Sequence, residues 1–192
     1  MGREQKAEYY DEAFSKDKKY HGSYKNLPHF PVFQVALSYV KEMRNPYICE
    51  IGCGTGQFAQ FLWNNWIREY MGVDFSTKAI DVARSLSPQV FKKVDSATSY
   101  NVPEEFDTIV SIEVFEHIEK DLEIINNVRQ GDTVIFSVPR FDDPAHVRHF
   151  TSKEQVQERY GKLLKFEDLL KYQNWYIAKG VRNGTHNSTV SR

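Results

Sequence analysis

Between residues 30 and 43 the apolar side chains of Phe33, Ala36, Leu37 and Val40 return every three or four positions, the interval of one helix face. Asn45-Pro46 ends that pattern, because proline pushes the residue before it toward extended backbone. Short apolar runs then alternate with amphipathic ones. Residues 47–51 read as a strand, and 57–66 as a helix with Phe58, Phe61, Leu62 and Trp66 on one side. Residues 70–74 read as a second strand, followed by a helix through Arg84 with Ser76 as its N-cap. Residues 90–94 form a third strand. The largely apolar run 106–112 has the pattern of a strand covered on both faces. A helix over 121–128 follows, and Gly131-Asp132 turns the chain into another buried strand, 133–138. Thr151-Ser152-Lys153-Glu154 has the capping-box pattern and predicts a helix to about Tyr160. Residues 163–169 and 175–181 close the series as an antiparallel hairpin.

Strands that alternate with helices predict an α/β fold, a doubly wound and mainly parallel sheet with right-handed crossovers. Ligands bind beyond the carboxyl ends of such strands. That rule selects Glu50 to Gly56, Asp74, Asp95, Glu113 and Pro139 before any motif is considered. The flanks differ from this core. Residues 1–28 are charged and tyrosine-rich and read as a helix followed by a loop. They are either plain surface or an aromatic lid over a pocket, with Tyr20 and His21 placed to touch an acceptor. Residues 183–192 are polar and are expected to be a disordered tail.

The chain has 192 residues, enough for one core, and a net charge of −1. No overall electrostatic pull toward nucleic acid or an anionic membrane follows from that balance. No apolar run approaches the roughly 20 residues that span a bilayer. Residues 1–6 are polar and lack the apolar centre of a signal peptide. The two cysteines, Cys49 and Cys53, read as packing residues in a reducing cytoplasm.

Candidate chemistry begins at Glu50-Ile51-Gly52-Cys53-Gly54-Thr55-Gly56. Glycines at alternate positions let the backbone approach a ligand where a Cβ would collide. The following helix offers free N–H groups and a positive dipole end. A carboxylate at the same mouth suits a cationic or amine-bearing ligand better than a polyphosphate. Asp74 ends the second strand about 20 residues later, where an acid can accept from ribose hydroxyls. Phe75 can lie against a purine, and Asp95 at the end of the third strand can meet the adenine amine. Acids closing successive strands, the first beside a glycine turn, point to an adenosyl ligand. A nicotinamide dehydrogenase is the rival at the level of fold. It favours Gly-x-Gly-x-x-Gly, whereas this turn is Gly-x-Gly-x-Gly behind an acid.

These residues, with Phe106-Asp107-x-Ile109-x-Ser111, resemble the class I S-adenosylmethionine-dependent methyltransferases. The resemblance implies a seven-stranded sheet with the last strand antiparallel and places the methyltransferase domain at 29–182. By the family pattern Gly52, Gly54 and Gly56 admit the methionine part, and Asp74 takes the ribose hydroxyls. Asp95, Ser96 and Ala97 border the adenine, and Glu50 orders the turn or meets the amino group through water. Cys53 stands at a commonly variable position, and Glu113 and Phe115 lie beside the cofactor. S-adenosylhomocysteine would be the product.

The acceptor side holds two constellations. Glu113-Val114-Phe115-Glu116-His117-Ile118 follows the fourth strand. It reads as a structural turn with His117 near the reaction. A similar Glu-x-x-Glu-His pattern is a metal site in ubiquinone-pathway O-methyltransferases and in small-RNA terminal 2′-O-methyltransferases. The expectation is that no metal binds; Glu113, Glu116 and His117 would hold a divalent ion if one did. The loop after the fifth strand carries Arg140, His146, Arg148 and His149. Its His-Val-Arg-His-Phe-Thr is similar to a segment of small-molecule methyltransferases related to the ubiquinone and sugar O-methylating groups. His146 or His149 can act as a general base, since imidazole titrates near neutrality. Arg140 and Arg148 can bind a carboxylate or phosphate of the substrate. The expected activity is methyl transfer to a small molecule, at oxygen rather than nitrogen. The alternatives are metal-dependent RNA 2′-O-methylation and a non-catalytic cofactor-binding partner subunit.

Overall fold

The computed structural model describes residues 2–184. Seven strands form one sheet in the order β3-β2-β1-β4-β5-β7-β6. β1 (Ile48–Ile51), β2 (Tyr70–Asp74), β3 (Val90–Lys93), β4 (Thr108–Ser111) and β5 (Thr133–Pro139) pair in parallel. β7 (Trp175–Arg182) runs antiparallel to β5, and β6 (Leu164–Tyr172) pairs antiparallel with β7 at the edge. The direction of connection reverses between β1 and β4, which places a crevice at their carboxyl ends.

Strand alternation feeds two apolar layers. Ile48, Val110 and Ile135 meet α2 (Phe30–Lys41), α3 (Gln57–Asn64) and α4 (Thr77–Leu86) on one face. Cys49, Ile109 and Val134 meet α5 (Asp121–Asn126) and α6 (Lys153–Tyr160) on the other. β1 is buried along its whole length, as a central parallel strand covered by helices on both faces must be.

The boundaries depart from the sequence reading in physically simple ways. α3 stops at Asn64, and Trp66 leaves the expected apolar face with φ 68 and 83% exposure. β6 extends three residues past the expected end, because hairpin pairing continues to Tyr172 opposite Trp175. Its residues Glu167, Asp168 and Lys171 are exposed, as befits an edge strand. The cap of α6 is shifted by one from the expected box. Ser152 accepts from Gln155 N, and the Gln155 side chain accepts from Thr151 N at 2.8 Å. Ser76 caps α4 as expected, accepting from Ala79 N at 3.0 Å. Of the expected tail, 185–192 lies outside the described residues.

Residues 1–28 supply α1 (Ala7–Lys16) and short 3₁₀ turns at Lys18–His21 and Tyr24–Asn26. α1 buries no residue fully, yet it packs on α4: Asp11 accepts from Lys78 N at 3.1 Å and from the Ser76 hydroxyl. This docking lays α1 across the carboxyl edge of the sheet.

Candidate active site

The three glycines of the turn have positive φ, and each solves a different problem. A Cβ on Gly52 would stand 2.3 Å from Val114 Cγ2, so this residue must be small to fit beneath the β4 loop. A Cβ on Gly56 would meet Ala83 Cβ at 2.9 Å, so Gly56 allows α3 to pack on α4. Gly54 alone faces open space; the nearest atoms to its Cβ position are in the Phe14 ring, at 3.7 Å. Close approach of a ligand is therefore available at Gly54 and not at Gly56.

Asp74 locks that turn to β2. Its Oδ2 accepts from Gly54 N at 2.9 Å, and its Oδ1 accepts from Ser76 N at 2.8 Å. Burial pushes the carboxyl up to about 6, against the opposing pull of those backbone donors. Glu50 lies deeper, 3% exposed, and accepts from the Tyr70 hydroxyl. Burial pushes it up to about 8.

Two cavities open at this edge. The smaller, about 120 Å³, lies between Asp74, Phe75, Val94, Ser96 and Ala97. The larger, about 390 Å³, lies over Glu50 and Cys53 and reaches Tyr20, His29 and His146. Tyr10, Phe14, Gly52, Gly54, Glu113 and His117 border both, so these residues mark the junction.

Glu113 holds the junction in a left-handed backbone conformation, φ 58, which costs a non-glycine residue of order 1 kcal/mol or more. Ser137 secures it: the hydroxyl donates to Glu113 Oε1 and accepts from Glu113 N, each at 3.0 Å. Burial, then the neighbouring Glu116, pushes Glu113 up to about 8. Glu116 is wholly buried, and neither carboxyl oxygen has a hydrogen-bond partner among the described residues. Burial pushes it, too, up to about 8. His117 Nδ1 lies 3.0 Å from Ala145 O and donates to it, which leaves Nε2 as the acceptor. His146 packs edge-on to His117, with ring centroids 4.8 Å apart. Burial lowers the pKa of both imidazoles.

The structure thus gathers Glu50, Gly52, Cys53, Gly54, Asp74, Phe75, Ser96, Ala97, Glu113, His117, His146 and Tyr20 around one crevice. Other expected residues stand elsewhere. Asp95 is exposed and borders neither cavity. Phe115 is fully buried behind the site, 5.1 Å from Phe136 and 5.7 Å from Tyr160 by ring centroids. His21 bonds Phe14 O at 2.6 Å, outside both cavities. Arg140 donates to Gln173 O at 3.0 Å, at the β6–β7 turn. Arg148 donates to the carbonyls of Phe115, Ile118 and Glu119 and pairs with Asp121 at 3.2 Å. It fastens the β4 loop and has no open face toward the crevice. His149 lies 3.7 Å from Asp142 and borders a different surface hollow. The expected ligand trio also changes: Glu116, His117 and His146 bring ligand atoms within 4.8 Å of one another, while Glu113 is engaged by Ser137.

Tyr10, Phe14 and His29 border the crevice and were not singled out as site residues. His29 is pushed down to about 4 by burial, so it stays neutral. Only the tyrosine-rich composition of 1–28 hinted at the first two. No local signal marks His29, which enters the site because α2 packs beside the glycine turn.

Residues 48–130 match the family model described as Methyltransferase domain. The chain has the fold of the class I S-adenosylmethionine-dependent methyltransferases. Magnesium protoporphyrin IX methyltransferase from Synechocystis, solved with bound S-adenosylhomocysteine, superposes with a TM-score of 0.71 at 15% identity, over 92% of this chain and 97% of that one. The N-methyltransferase NodS from Bradyrhizobium japonicum, also with S-adenosylhomocysteine, gives a TM-score of 0.71 at 18% identity, over 93% and 98%. A complex between the Haloferax volcanii Trm112 methyltransferase activator and a methyltransferase gives 0.72 at 13% identity, over 91% and 98%. No curated protein sequence matches the chain. No helix among the described residues of this methyltransferase fold is long and apolar enough to cross a membrane.

Proposed function

We propose that the protein transfers a methyl group from S-adenosylmethionine to a small-molecule acceptor, at oxygen in preference to nitrogen, in the cytoplasm. One observation carries the reading: Asp74 is bonded to Gly54, and the crevice they frame divides into two cavities that meet at Glu113 and His117. The smaller cavity suits the adenosine part, with Asp74 toward the ribose and Phe75, Ser96 and Ala97 around the base. The methionine part would pass Gly54 toward Glu50, and the acceptor would enter the larger cavity.

The sulfonium spreads its charge as the methyl group leaves, so the protein mainly has to align acceptor and methyl carbon. An oxygen acceptor must also lose a proton. His117 Nε2 and His146 stand in the larger cavity as neutral imidazoles able to take it. That pair supports oxygen over nitrogen. Calorimetry with S-adenosylhomocysteine tests the reading directly: saturable binding to the wild type is expected, and no binding would remove it.

A second reading has its own observation. Glu116, wholly buried and with no hydrogen-bond partner for either oxygen among the described residues, faces His117 and His146. One carboxylate and two imidazoles fit a divalent ion, which would supply charge to hold an acceptor oxygen. The same imidazoles cannot also serve as the base, so the two readings exclude each other. The net charge of −1 favours a small acceptor over RNA. The open larger cavity favours an enzyme over a non-catalytic partner subunit.

A further inference from the structure

The crevice, read as an adenosyl-ligand site, is crossed by a strap fastened at both walls. At one wall Asp11 accepts from Lys78 N and from the Ser76 hydroxyl, on the turn that follows Asp74. At the other wall Gly2 N donates to His146 O at 2.7 Å, and Glu4 accepts from Glu119 N at 2.7 Å. α1 therefore links the cofactor side of the crevice to the histidine side. Tyr10 projects inward midway along this strap. Its ring centroid lies 5.4 Å from that of Phe75 and 6.0 Å from that of His117. It borders both cavities at their junction. Its hydroxyl is buried and has no hydrogen-bond partner among the described residues.

A buried hydroxyl without a partner is disfavoured, and a packed interior rarely retains one without a reason. The ring alone would fill this space as phenylalanine, as Phe14 does one turn later, 6.3 Å away. The hydroxyl is thus a polar atom aimed at the one place where a bound ligand would run from Asp74 toward His117. Burial and the nearby Glu116 raise its pKa, so it stays a proton donor.

We propose that Tyr10, carried by the α1 strap, is a direct ligand-binding residue whose hydroxyl bonds the adenosyl ligand at the junction of the two cavities. The strap then does more than exclude water. Its closure and the binding of the cofactor are one event, since the hydroxyl is satisfied only when both are in place. Because Gly2 and Glu4 hold the His146 side, the same event sets the shape of the acceptor cavity.

The test is Tyr10→Phe, which keeps the ring packing and deletes one oxygen. S-adenosylhomocysteine titrated into the full chain should bind the variant about tenfold more weakly. The melting temperature without ligand should be unchanged or higher, because an unpartnered group has been removed. Trypsin cleavage after Lys16, Lys18 or Lys19 should slow in saturating S-adenosylhomocysteine for the wild type, and slow less for Tyr10→Phe and for Asp11→Ala. Equal affinities of wild type and Tyr10→Phe would overturn the inference while leaving the cofactor reading intact. A wild type that binds no S-adenosylhomocysteine would overturn the cofactor reading itself.

Discussion

Asp74 is the side chain at which structure and the proposed ligand site meet. Two backbone donors hold it, and it lines the smaller cavity. Asp74→Ala should weaken S-adenosylhomocysteine binding by tenfold or more, measured by calorimetry, because two donors and the ligand hydroxyls lose their acceptor. The base is tested at the same scale. His117→Gln and His146→Gln should leave S-adenosylhomocysteine affinity nearly unchanged, and the one that removes the base should lower kcat about 10²–10⁴-fold. If the ion reading holds instead, Glu116→Gln will abolish a rise in melting temperature that manganese or zinc produces in the wild type. Glu113 reads as one letter of a motif. Its left-handed backbone and its bond to Ser137 come from a residue 24 positions away, so no local pattern announces them.

Elements are joined by a few buried contacts that determine what can move. Asp121 is the main pin of the layer over the second face: it accepts from Arg159 Nε at 2.9 Å and the Tyr160 hydroxyl at 2.7 Å, and pairs with Arg148. Arg148 in turn holds the carbonyls of the β4 loop that presents His117. Arg148→Ala should therefore destabilise the fold by roughly 1–3 kcal/mol, read by denaturant unfolding, because the β4-loop carbonyls lose their donor while Asp121 keeps Arg159 and Tyr160. A substrate-binding arginine would instead raise KM with stability intact. Gly56→Ala tests the packing of α3 on α4. A left-handed φ and a 2.9 Å approach to Ala83 should together lower stability by about 1–3 kcal/mol with little change at the ligand site.

Across the whole molecule the acid-lined crevice links stability to pH. Glu50 is pushed from 4.5 up to about 8, so the folded protein holds its proton more tightly than the unfolded chain does. The resulting stability is fully present below pH 4.5 and is lost as pH rises through about 8. In that window Glu50 alone should lower the unfolding free energy by up to about 1.4 kcal/mol per pH unit. Glu50→Gln keeps an acceptor for Tyr70 and should flatten the decline, which urea titrations at several pH values would measure.

Periodicity along the chain was enough to establish the alternation of strands and helices, the central buried strands, the hairpin at the end and the glycine turn with Asp74. These are local matters: side-chain spacing, caps and strand ends are written in neighbouring residues. That Arg140 and Arg148 both bond backbone carbonyls, that Gly54 faces open space while Gly56 packs on a helix, and that His146 rather than Glu113 joins Glu116 and His117 were settled only by long-range packing. The strap across the crevice belongs to the same class, since Asp11 finds Ser76 65 residues away and no spacing rule connects them. Local sequence specifies what each segment prefers to be; only the folded sheet decides which distant side chains share the space above its edge.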